Sequence, residues 1–129
     1  MIPVDEMYLV KALESLAGAD SEFANERFNN SANRSYFACF QAAVHALLEL
    51  GLRPAGHQQW AHDFVQAQFV GSLINRRKLY PERLRDVLLR NLELRHAADY
   101  RRDQVSQTQA SRALQRAREF VGAIEQEAQ

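Results

Sequence analysis

The residues best suited to chemistry stand where apolar side chains are expected. Helical periodicity of about 100° per residue groups Leu84, Val87, Leu88, Leu92 and Leu94 on one arc. Arg95 falls in the middle of that arc, and Asn91 and Asp99, a turn to either side, complete a polar row. An inward guanidinium is costly unless it is paired or opens on a cleft. Asp99, at i+4, is the partner within reach. The segment 32–50 repeats the pattern: Asn33 points into the arc of Phe40 and Val44, and Tyr36, one turn on, offers a hydroxyl. Asn33, Tyr36, Arg95 and Asp99 are predicted to meet where these two helices pack, with Asn91 as a further phosphate-binding candidate. Two roles suit such a constellation. It can hold a phosphate, since Arg presents a planar fork of donors, or it can be a buried polar network that sets helix register.

Other polar residues carry less. His57 and His62 are five apart, with no carboxylate or cysteine completing a zinc set, so structural roles, no metal and no cofactor are expected. His45 falls on the polar side of its helix near Arg34, as a solvated or interface residue. Cys39 is the single cysteine, which excludes an internal disulfide and suits a small core residue. Trp60 and its aromatic neighbours read as core. There is no Gly-rich phosphate loop and no Ser-His-Asp spacing.

The elements that position these residues are helical. The chain has 129 residues, 47% hydrophobic and 25% charged, with five glycines and three prolines, which suits a single folded domain over 1–129. No run approaches the ~20 apolar residues of a membrane span, and the start lacks a secretion-signal pattern, so a cytoplasmic protein without a membrane partner is expected. The net charge is zero, but its distribution is uneven: residues 1–27 hold six acids and two bases, whereas residues 76–102 hold nine bases and four acids. An Arg-rich segment of this kind suits RNA, a nucleotide or an acidic partner. It equally suits a solvated face pairing with the acidic first helix.

Periodicity predicts an all-α, up-and-down bundle of four long helices and one short helix. The first runs from about Asp5 to Arg27, with Gly18 and Asp20 as points of interruption. A break at Phe28–Ser31 follows, then a hydrophobic helix over about 32–50 that Gly51 ends as a C′ glycine. A short aromatic helix spans about 60–71 and stops at Gly71. Pro81 opens the next helix, which runs to about Asp99. Ser106 and Gln109 form a capping box for a last helix over about 107–127.

Several segments resemble the HEPN domain family. Asn33–Ala43, NRSYFACFQAA, is similar to that family's Asn-Arg-x-Tyr-Tyr-Ala segment. His57 and Phe64–Val70 fall where the family often has a His and a short aromatic helix. Leu92–Tyr100, LELRHAADY, resembles the Arg-x-x-Ala-Asp-Tyr segment of one bacterial and archaeal branch, and Ala113–Ile124 fits the last helix. The resemblance covers nearly the whole chain and implies a compact helical homodimer. It also implies a small nucleotidyltransferase partner in a toxin–antitoxin pair, and in many members metal-independent RNA cleavage by an Arg-x(4–6)-His motif. In that motif Arg contacts the scissile phosphate and His moves a proton. With Arg95 as the motif arginine, Tyr100 stands where His is expected, and a phenol with a pKa near 10 is a poor base at neutral pH. His96 follows Arg95 directly, and Arg90 to His96 is an alternative register that lies off the apolar arc. Arg95, His96 and Tyr100 are the catalytic candidates that the resemblance implies. Tyr100 has a second role by analogy, as a tyrosine to which a partner enzyme attaches a nucleotide. A non-catalytic HEPN dimerisation, nucleotide-binding or partner-binding module is the alternative.

Overall fold

A computed structural model describes residues 2–56, 59–100 and 104–128. Five α-helices occur among them: α1 (Val4–Ala24), α2 (Phe28–Glu49), α3 (His62–Gln68), α4 (Val87–Tyr100) and α5 (Gln107–Glu127). α3 runs on as a π-helical segment (Phe69–Arg76), and a 3-10 turn (Glu82–Leu84) precedes α4. No strand occurs among the described residues. The four long helices alternate in direction. Asp5 meets His45 while Ala19 meets Ser31, so α1 and α2 are antiparallel, and Asn91 reaches Cys39 while Arg95 reaches Phe37, so α2 and α4 are too.

α2 is the central helix because its sequence lets neighbours approach. Ala32, Ala38, Ala42, Ala43 and Ala46 are buried on it, and Ala12 and Ala19 of α1 are buried opposite. Phe69 closes the core, stacked on Tyr80 at 5.2 Å and tilted against Phe120 at 4.8 Å. Gly51, at φ 72°, ends α2 as expected: Leu52 N–H donates to the Leu47 carbonyl and Gly51 N–H to that of Leu48, the paired bonds of a left-handed C-cap. Glu26, at φ 60°, closes α1 with the same pair of bonds, although glycine is the usual residue there. The capping box at Ser106 and Gln109 is present.

Four boundaries differ from those the sequence predicts. α2 starts at Phe28, so the polar Phe28–Ser31 segment is its first turn. Ser31 is buried there, and its hydroxyl donates to the Ala19 carbonyl. α1 is continuous through Gly18 and Asp20; the glycine makes room for Arg34, whose Cδ would lie 2.9 Å from an added Cβ. Gly71 does not stop the short helix, because Leu73 and Ile74 beyond it are buried and the wider π turn carries them into the core. Pro81 is extended and leads into the 3-10 turn, so α4 begins at Val87. Tyr80 and Leu84 bury before it starts, and Gln66 holds the turn by donating to the Arg85 carbonyl.

Candidate functional site

α2 and α4 deliver Arg95, Asp99, Asn33 and Tyr36 to one region, as their spacing predicts. Arg95 Nε lies 3.7 Å from an Asp99 carboxylate oxygen, an ion pair longer than a hydrogen bond. The guanidinium spreads over the Phe37 ring at 4.9 Å and the Tyr36 ring at 5.6 Å. Its side chain is 25% exposed, yet the Nε atom is buried and has no hydrogen-bond partner. Asp99 and Phe37 also line a polar cleft of about 640 Å³, together with Asn29, Asn30, Asn33 and Arg34. Arg95 therefore touches Phe37 and Asp99, two residues that wall a cleft bordered on α2 by three asparagines and a second arginine.

The arrangement adds a residue whose sequence context points to an incidental role. His62, the first residue of α3, places Nδ1 3.0 Å from the Tyr36 hydroxyl. Burial holds the His62 pKa below its ordinary 6.5; Asp63 opposes that shift and the nearby His96 adds to it, so the ring is neutral at pH 7. Burial likewise pushes the Tyr36 phenol up to about 12, against the pull of Arg95. The phenol keeps its proton at neutral pH, and it satisfies Nδ1 in either tautomer, leaving Nε2 to meet a ligand. Periodicity could not have brought His62 forward, because the stretch between α2 and α3 has no repeat from which to phase the two helices. Its one signal is a histidine placed directly before an aromatic helix. His57, which falls where the family often has a His, lies outside the described residues.

Asn91 departs from the predicted row. Its amide donates to the Cys39 sulfur at 3.6 Å and the Ala113 carbonyl at 3.3 Å, and its oxygen accepts from Arg116 Nε at 2.8 Å. Four residues of α-helix turn through about 400°, so each step along the row drifts by about 40°. Asn91 consequently bonds to α5 as well as to Cys39 of α2, whereas Arg95 lies over Phe37 and Tyr36 of α2 alone. Asn91 is fully buried, and its amide is engaged in these three bonds. His96 and Tyr100 are exposed near the end of α4, ring centroids 6.1 Å apart, and Tyr100 is 81% exposed. Arg90 is exposed as well. His45, expected to be solvated or at an interface, is instead buried between α1 and α2, with Nδ1 2.6 Å from the Asp5 carbonyl.

The fold is an all-α bundle with a part-buried arginine beside an α2–α4 cleft. The HEPN domain model matches residues 6–127, and the chain belongs to that family. No curated protein matches it. No helix among the described residues is long and apolar enough to cross a membrane.

Proposed function

We propose that the α2–α4 cleft binds the phosphate of RNA or of a nucleotide, and that the chain is the toxin-like component of a HEPN–nucleotidyltransferase pair. One observation carries this: a cationic N–H of Arg95 is buried without an acceptor beside a polar cleft. The side chain is part-exposed, so a phosphate oxygen can accept from its outer N–H groups, and the flat faces of Phe37 and Tyr36 hold the guanidinium plane in position. His62 supplies the proton-transfer group that Tyr100 cannot. In RNA cleavage without metal, a base removes the ribose 2′-hydroxyl proton, the oxygen attacks the adjacent phosphorus, and the 5′-oxygen leaves with a proton from an acid. Here Arg95 offsets the charge growing at phosphorus and His62, held by Tyr36, exchanges the proton.

The chain acts as a homodimer in this proposal. Leu89, Glu93, His96 and Tyr100 recur at three- to four-residue spacing on α4 and are all exposed. A dimer through that face would bring two Arg95 clefts near each other, and the open Tyr100 hydroxyl suits nucleotide attachment by the partner enzyme. A second reading, binding without turnover, is favoured by the exposed phenol at the motif's His position.

The test incubates purified protein with RNA in the presence of a chelator and measures binding in parallel. Cleavage that disappears in Arg95→Ala and His62→Gln supports the catalytic form. Arg95-dependent, salt-sensitive binding with intact RNA supports the binding module. Binding unaffected by Arg95→Ala overturns both.

A further inference from the structure

A second polar cluster lies at the other end of α2, about 14 Å along the helix from Tyr36. His45 is buried there to 2% side-chain exposure. Its Nδ1 lies 2.6 Å from the Asp5 backbone carbonyl. A carbonyl can only accept, so Nδ1 carries the proton in that bond. Nε2 has no hydrogen-bond partner, and the closest charged atom is Glu49 Oε1 at 3.5 Å. A nitrogen lone pair and a carboxylate oxygen thus face one another, an arrangement that a cation between them resolves. One ligand atom from each of Asp5, His45 and Glu49 lies within 4.8 Å of the other two. His45 and Glu49 also line a cavity of about 260 Å³, with Tyr80 and Glu127 on its wall.

We propose that Asp5, His45 and Glu49 form a binding site for a divalent transition-metal ion, with zinc the best-matched probe. The imidazole Nε2 and two carboxylates are a donor set zinc accepts, and three protein ligands leave a fourth position open to the cavity. An imidazole donor disfavours calcium and magnesium, which take oxygen. The bond from Nδ1 to a backbone carbonyl is the one that orients metal-bound histidines and fixes their tautomer. The ion would tie the first turn of α1 to the last turn of α2, helices that already meet there. It is separate from the Arg95 cleft, so zinc uptake and RNA chemistry can succeed or fail independently.

Competition with a chromogenic zinc chelator, on the full chain, tests the site. One zinc per chain is expected, with a rise in Tm on zinc addition. Asp5→Asn and Glu49→Gln alter partly exposed side chains and leave the Asp5 carbonyl in place, so both should fold. Each should weaken zinc about tenfold or more and abolish the Tm shift. A triple His57→Gln, His62→Gln, His96→Gln variant should take up zinc as the wild type does. No uptake by the wild type, uptake unchanged in Glu49→Gln, or uptake lost in the triple variant would each overturn the proposal.

Discussion

Replacing Arg95 by alanine separates a site from a strut. If Arg95 were a fully buried partner of Asp99, its removal would leave an uncompensated charge and cost roughly 3–5 kcal/mol. The geometry gives less. The ion pair is 3.7 Å long and part-exposed, worth about 0.5 kcal/mol, and the two aromatic contacts add about 0.5–1 kcal/mol each. The expected loss is therefore roughly 1.5–2.5 kcal/mol, a fall in Tm of about 5–12 °C for a chain of this size. RNA affinity should suffer more: a lost charge-assisted hydrogen bond to phosphate is worth about 1.5–3 kcal/mol, or roughly 10- to 150-fold in Kd. Arg95→Lys keeps the charge without the fork or the stacking, so its affinity should lie between. Urea unfolding followed by far-UV circular dichroism gives the first number. Anisotropy of a labelled RNA oligonucleotide at low and physiological salt gives the second. A stability loss above 3 kcal/mol, or an RNA affinity within twofold of wild type, would refute the reasoning.

Three further expectations follow from other contacts. Asn91→Ala leaves Arg116 Nε and the Ala113 carbonyl without their partner, so urea unfolding should show a loss of about 2–3 kcal/mol, while RNA affinity stays unchanged. Gly18→Ala gains helix propensity of about 1 kcal/mol but displaces Arg34, whose Cδ the new Cβ would meet at 2.9 Å; Tm should hold or rise while RNA binding weakens several-fold. His62 has a folded pKa below its unfolded 6.5, so the unfolded chain binds its proton first as pH falls. The stability that neutral His62 contributes should be complete above pH 6.5 and be lost as pH drops through the folded value. His62→Gln should flatten the urea-midpoint profile in that acidic window, and any RNA cleavage should have its acid limb below pH 6.5.

The helical class was legible because it rests on local chemistry. A long apolar arc on α2, a glycine at the left-handed C-cap position and a Ser106–Gln109 box each act within a few residues, and each appears as the sequence implies. The Arg95–Asp99 pair was legible for the same reason, since four residues on a helix place two side chains together. Boundaries set by partners from elsewhere were not. Ser31 lies inside α2 because a carbonyl on α1 accepts its hydroxyl, and the π turn passes Gly71 because the core takes Leu73 and Ile74.

Sequence by itself determined which residues could form helices and which polar groups were placed against apolar neighbours. Tertiary packing alone decided how those helices are phased. It set Asn91 between α2 and α5 and Arg95 over Phe37, brought His62 to Tyr36 across a stretch without periodicity, and buried His45 against a carbonyl forty residues away. Helical spacing reports an angle about one axis; which partner stands at that angle depends on how the remaining helices fill the space around it.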